Sequence, residues 1–167
     1  MIYNTDMKPL RIYLDTTIWN FSFADDSPER KAVTLEFFKQ VKWGRFEIFA
    51  SEAVELEIDP APKERKEMIL TLWSEVSPTM LENSQDAEKL AKLYLERGAL
   101  PPKSKVDAVH VAYATVFNMD VLLSWNMDHL ANVGRRNKLI GVNVEEGYNS
   151  GLQITTPFEV IGNEQAD

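Results

Sequence analysis

Cysteine is missing from all 167 residues, so the chain has neither a disulfide framework nor a thiolate metal site available to it. Histidine is nearly as scarce, with two copies, and a bound metal must rely on oxygen ligands or on those two imidazoles. Long apolar runs are lacking too. No stretch reaches the roughly 18 apolar residues of a membrane-spanning helix, and the N-terminal MIYNTDMKPLRIYL is no basic segment followed by an apolar core. A cytoplasmic protein with no membrane partner is expected. Positive charge is also short: 18 Lys and Arg stand against 26 Asp and Glu, for a net charge of -8. That balance argues against a nucleic-acid partner held by basic side chains alone, because phosphate affinity ordinarily comes from Lys and Arg that displace counterions. A nucleic-acid substrate here needs a local basic stretch, a bridging metal or transient binding.

What is present suits one globular domain over residues 1–167, with 44% hydrophobic and 26% charged positions. Short strand-like apolar runs at 11–15, 46–50, 120–124 and 151–155 alternate with longer helix-period runs, the pattern of an α/β domain with a mainly parallel sheet. Ser27-Pro28 opens a helix that Gly44 can stop, and Ser84 opens another closed by Gly98. Over 62–76, Met68, Ile69, Leu72, Trp73 and Val76 share one helical face opposite the mixed-sign run Lys63 to Glu67, which reads as a solvated surface.

Functional groups in open α/β sheets gather beyond the carboxyl ends of the strands. Asp15 ends the first strand-like run and Asn126 follows the third. An aspartate in such a place is ordinarily a turn former or a helix cap, so Asp15 alone is open to both readings. Asp107 has a bland account as well, since Ser104-Lys105-Val106-Asp107 fits the capping-box template. The helix that follows is apolar nearly all round, however, and must be buried, which directs Asp107 to the same rim as Asp15. Cap and ligand both remain open for it. Among the glutamates of 51–58, Glu57 lies beside Ala53 and Val54 and is the one expected to point inward. His110 reads first as a satisfied core histidine, and Trp19, Phe21, Phe23 and Trp125 as core aromatics before base-stacking groups. Arg135, Arg136 and Lys138 form one local basic knot, a candidate phosphate contact.

Taken in order, Leu14-Asp15-Thr16-Thr17, Ser51 with Glu57, Asp107-Ala108-Val109-His110-Val111-Ala112 and Leu123-Ser124-Trp125-Asn126 resemble a PIN domain. The C-terminal stretch, with Ser-Trp-Asn followed by His129, Asn143, Gly147-Tyr148 and Thr156-Pro157-Phe158-Glu159, is similar to one branch of that family. The resemblance implies a three-layer α/β/α, Rossmann-like fold. It also implies a metal-dependent ribonuclease, commonly the VapC-like toxin of a type II toxin-antitoxin pair, with RNA as substrate, a cognate antitoxin and a homodimer. By the same token Asp15, Glu57 and Asp107 would bind Mg²⁺ or Mn²⁺, and Thr16 would support Asp15 by hydrogen bonding. The family's fourth acidic position, two residues after Ser124, is Asn126 here, which contributes a carbonyl oxygen and no charge. Asp128 is a candidate replacement, and His129 a candidate phosphate-orienting group.

Physics explains why such a set calls for a cation. Two carboxylates about 4 Å apart repel by about 4 kcal/mol at an effective dielectric near 20, so converging acids raise one another's pKa values unless neutralised. The rival class is a catalytically weakened PIN fold serving as an RNA-binding or protein-interaction module, which the asparagine at 126 favours. A phosphotransfer domain with Asp15 as nucleophile is disfavoured, because the second aspartate it needs two residues on is Thr17.

Overall fold

The central strand β1 (Leu10–Leu14) carries Ile12, Tyr13 and Leu14, all three inaccessible to solvent. A strand covered on both faces reads as an apolar run, and these last three residues of β1 do so, after the exposed Leu10 and the half-buried Arg11. The computed structural model describes residues 8–149 and 151–162, so the sequence reading of residues 1–7 lies outside the described residues. From β1 the chain passes through α1 (Thr16–Phe21) and α2 (Pro28–Lys42) to β2 (Phe46–Ala50), and then through α3 (Glu52–Ile58) and α4 (Lys63–Val76) to β3 (Thr79–Met80). It returns by α5 (Gln85–Glu96) and α6 (Lys105–Val116) to β4 (Val121–Leu123), and by α7 (Val133–Glu145) to β5 (Gln153–Thr155), before closing with α8 (Pro157–Ile161).

All four strand pairings are parallel, in the order β3-β2-β1-β4-β5. Ile12 lies opposite Ile48 on one side and Val121 on the other. Helices flank the sheet in two packing groups. In one, α2 packs with α1, α4 and α8; in the other, α6 packs with α3 and α5, and α5 packs in turn with α7. This is the three-layer α/β/α architecture. Strand order runs outward from β1 to β3 and then restarts on the other side of β1 with β4. The reversal opens a crevice at the carboxyl ends of β1 and β4, where open α/β sheets place their ligands.

Several local expectations shift. Pro28 opens α2, but the Ser27 hydroxyl makes no cap bond, whereas the Ser84 hydroxyl accepts from the Ala87 amide at 3.1 Å and caps α5. Gly44 (φ 81°) and Gly98 (φ 70°) end α2 and α5 in the left-handed region that glycine enters without a Cβ penalty. On α4, Ile69 and Leu72 are buried while Met68 is 41% exposed, so the apolar face is narrower than its spacing suggests. The two-residue β3 was not anticipated; so short an edge strand has no periodicity to reveal it. The Asn143 side chain is buried between three helices: the Tyr94 hydroxyl donates to its carbonyl, and its amide donates to Thr115 Oγ1 at 3.0 Å. No helix among the described residues is long and apolar enough to cross a membrane.

Candidate functional site

Because β1 stops at Leu14 and α1 begins at Thr16, Asp15 is left at the hinge between them in extended conformation. It caps α1: Oδ1 accepts from the Thr17 amide at 3.0 Å and the Thr17 hydroxyl at 2.5 Å. The Thr17 hydroxyl in turn accepts from the Trp125 amide at 2.9 Å, and the Asp15 amide donates to the Leu123 carbonyl at 3.2 Å. Asp15 is thus a helix cap, held between the carboxyl ends of β1 and β4. Ser124 is fully buried, lies close enough to the Asp15 carboxylate to hold its pKa down, and accepts from the Asn126 amide at 2.9 Å.

The support expected of Thr16 belongs to Thr17. A helix cap accepts from the second or third residue of the helix, not from the first. Thr16, one position too early, donates instead to Glu57 Oε1 at 2.7 Å. Glu57 does turn its carboxylate inward, although 37% of the side chain stays exposed. Its Oε1 also accepts from His110 Nε2 at 2.6 Å. On α6 the expected capping box is not formed, for the Ser104 hydroxyl makes no cap bond. Asp107 is free of that duty, and its Oδ2 accepts from Asn126 Nδ2 at 3.1 Å.

Asn126 is the clearest departure from expectation. Its carbonyl Oδ1, the atom expected to ligate, accepts from the His129 amide at 3.2 Å. Its amide faces Asp107, so it acts there as a neutral donor where the family pattern has a fourth acid. Such a donor stabilises the neighbouring carboxylate rather than repelling it.

The electrostatics tie the three acids to one neighbourhood. Burial raises the Asp15 pKa, the Asp107 charge adds to the rise, and His110, Ser124 and Thr17 oppose it. Burial likewise raises Asp107, with Glu57 adding and His110, His129 and Asn126 opposing. For Glu57 burial is again the largest influence, but the hydrogen bonds and charge from His110, with Thr16, outweigh it and hold the carboxyl below its usual range.

His110 is the satisfied core histidine that the sequence suggested, and its partners are the finding. It is satisfied and 1% exposed, as a core histidine should be, yet its partners are Glu57 and the Tyr13 hydroxyl, the latter 2.7 Å from Nδ1. Tyr13 also meets Ser51 Oγ at 2.6 Å. The signal was available: a tyrosine in the middle of a strand buried on both faces must find a polar partner for its hydroxyl.

Other candidates are not brought in. Asp128 is exposed and makes no hydrogen bond to the other acids. His129 lies near enough to Asp107 to lower its pKa, but its own buried Nδ1 has no partner. Arg135 donates to the Ala99 carbonyl at 3.2 Å and Arg136 to the Ile154 carbonyl at 3.0 Å, so both guanidinium groups tie α7 to neighbouring backbone. A cleft of about 1050 Å³ opens elsewhere, lined by the first residues of four strands, Leu10, Phe46, Val121 and Gln153. It lies at the opposite end of the sheet from the acids.

The donor set suits a hard cation in part. Among the described residues no group of three or more His, Asp or Glu side chains is gathered closely enough to hold an ion, and Glu57 Oε1 is taken by His110 and Thr16. Asp15 and Asp107 are the two acids there whose pKa burial raises, with the Asp107 charge adding to the rise at Asp15. Magnesium is usually bound through one or two carboxylates, keeping several waters and taking substrate phosphate oxygens.

No protein-family model and no curated protein sequence matches the chain. Among solved structures, it is similar to a chain in the crystal structure of VapBC2 from Rickettsia felis bound to a DNA fragment from the promoter. The TM-score is 0.55 over 88% of this chain and 98% of that one, at 14% identity. A likeness at that identity is one of fold.

Proposed function

We propose that the chain is a PIN-type, metal-dependent endoribonuclease that hydrolyses RNA phosphodiester bonds, acting as the toxin of a type II toxin-antitoxin pair. The observation that carries this reading is the placement of Asp15 and Asp107 at the carboxyl end of the sheet, where strand order reverses, with Asp107 adding to the rise in the Asp15 pKa and Glu57 to that of Asp107. Desolvated carboxylates with raised pKa values, as at Asp15 and Asp107, are costly to keep ionised unless a cation or substrate uses them.

In this reading Asp15 and Asp107 hold Mg²⁺ or Mn²⁺, with the second oxygen of Glu57 beside them. A divalent ion supplies Lewis acidity and positive charge at the scissile phosphate, which a protein of net charge -8 otherwise lacks. The chain's own residues do the positioning. Thr17 fixes the rotamer of Asp15, Asn126 orients Asp107 by donating to Oδ2, and Thr16 and His110 hold Glu57. The fold likeness to a chain of the VapBC2 structure supports an antitoxin as partner, and a homodimer goes with the same reading.

The test is cleavage of single-stranded RNA by purified protein with and without Mn²⁺. Metal-dependent cleavage that Asp15→Asn abolishes is expected; cleavage that survives either chelation or that substitution refutes the assignment. The donor role of Asn126 favours a second reading, a module that binds RNA or protein without cutting. Such a module predicts no stabilisation by Mn²⁺, whereas a ligand that binds only the folded state raises the melting temperature.

A further inference from the structure

Arg30, in the first turn of α2, differs from the other arginines among the described residues. Arg11, Arg65, Arg135 and Arg136 donate to backbone carbonyls, Arg97 to Glu145 and Glu146, and Arg45 to Gln40 and the Ile161 carbonyl. The Arg30 guanidinium makes no hydrogen bond or ion pair to an oxygen there. Its one such contact is from Nη2 to the Met127 thioether at 3.7 Å, a weak acceptor. Aromatic rings hold it instead. Its Cζ lies 5.6 Å from the centre of the Phe21 ring and 5.5 Å from that of Trp125, close enough for attraction to a ring face. A guanidinium stacked in this way keeps the N–H donors along its edge for an acceptor.

The surroundings fix where that edge stands. Trp125 Nε1 donates to Thr34 Oγ1 at 2.9 Å, and the same hydroxyl donates to the Arg30 carbonyl at 2.6 Å, so the indole is tied to the helix that carries Arg30. The Trp125 amide donates to the Thr17 hydroxyl that serves Asp15, and the next residue, Asn126, donates to Asp107. Arg30 therefore packs against residues 125 and 127, on either side of the residue that meets an acid of the crevice. Phe158, 47% exposed, stands edge-on to Trp125 at 5.3 Å. A guanidinium without an oxygen partner beside an exposed ring offers what a single strand of nucleic acid uses, a phosphate contact and a stacking face.

From this arrangement we infer that Arg30 is a substrate-binding residue: it takes a backbone phosphate of a single-stranded RNA running past the crevice, with the Phe158 ring open to one of its bases. The inference rests on the RNA reading above and deepens it, and the contact needs no metal. In a chain of net charge -8, one pre-oriented guanidinium gives a local, salt-sensitive hold.

Fluorescence anisotropy of a labelled single-stranded RNA, titrated with the full chain in EDTA, tests it, with melting temperatures recorded alongside. Arg30→Met keeps an apolar stem and removes the charge, and is expected to weaken binding about ten-fold. It should also reduce the slope of log affinity against log salt by about 0.7, the share of one phosphate on a single strand. Arg30→Lys, a point charge without the planar fork, should keep the salt slope and recover only part of the affinity. Phe158→Ala should weaken binding by about five-fold or more with the salt slope unchanged. Lys63→Met removes an equal charge from the exposed face of α4 and should leave affinity within about two-fold of wild type. Arg30→Met that keeps wild-type affinity and slope, or Lys63→Met that loses as much as Arg30→Met, overturns the inference. Unchanged affinity in Phe158→Ala overturns the choice of a single strand. Wild-type protein that binds no RNA brings down the RNA reading and this inference together. RNA binding that depends on Arg30 without Mn²⁺-dependent cleavage sinks the nuclease and keeps the contact; cleavage with RNA binding indifferent to Arg30→Met removes the contact alone.

Discussion

Two buried polar networks lean on α6, and they differ in where they end. One joins Tyr94, Thr115 and Asn143 between α5, α6 and α7; the other joins Ser51, Tyr13, His110 and Glu57 between β2, β1, α6 and α3. Each is built around a tyrosine whose hydroxyl is pushed far above its usual pKa by burial, so neither phenol ionises. The first is neutral and closed, with the donors and acceptors meeting inside the helix layer. The second terminates on a carboxylate at the mouth of the crevice, beside two further acids that burial makes costly to ionise. Polar satisfaction by itself therefore does not mark a functional group, since both networks are satisfied and differ in whether they end at an exposed carboxylate.

That contrast breaks most severely if the acids are not what the open network serves. Asp107→Asn is expected to reduce Mn²⁺-dependent RNA cleavage by about 100-fold or more, measured in single-turnover assays, while the fold survives. Tyr94→Phe, the matching change in the closed network, removes the donor to Asn143 and a partner of Thr115. It should cost about 1–3 kcal/mol of stability in denaturant unfolding and leave Mn²⁺ affinity unchanged. A shift in metal affinity from Tyr94→Phe would dissolve the distinction. Asn126→Asp replaces the donor on Asp107 with a like charge. Lower stability without metal and a larger Mn²⁺-induced rise in melting temperature are expected; an unchanged pair of values would show that position 126 does not sense the site.

The smallest effect concerns pH. Asp15 has a folded-state pKa above its ordinary 3.8, so between those values the folded chain holds a proton that the unfolded chain has released. Its contribution to stability is present at low pH and is lost as pH rises through that window. In cation-free buffer Asp15→Asn should melt a few degrees higher than wild type at neutral pH, and the advantage should shrink on acidification. Glu57 runs the other way: its pKa is lowered, so its contribution is present above the ordinary 4.5 and is lost as pH falls through the folded value. A Glu57→Gln advantage at neutral pH would contradict this sign.

Residue order alone determined a good deal. Apolar runs of strand length, alternating with helix-period segments punctuated by Pro28, Gly44, Ser84 and Gly98, were enough for a parallel α/β sheet, because burial on both faces leaves an unbroken apolar signature. An aspartate directly after β1 and another opening a buried α6 were enough to nominate the crevice, since strand ends and helix starts are fixed points of such a fold. Tertiary structure decided the partners. Whether Thr16 or Thr17 serves Asp15, whether Asp107 caps α6 or faces Asn126, and whether Asn126 offers its carbonyl or its amide all depend on side-chain direction. Spacing along the chain does not carry direction across 19 residues from Asp107 to Asn126 or 53 from Glu57 to His110. His110 shows the reason most plainly: a buried histidine in an apolar helix looks the same in sequence whatever it touches, and only packing α6 against β1 and α3 put it between a phenol and a carboxylate.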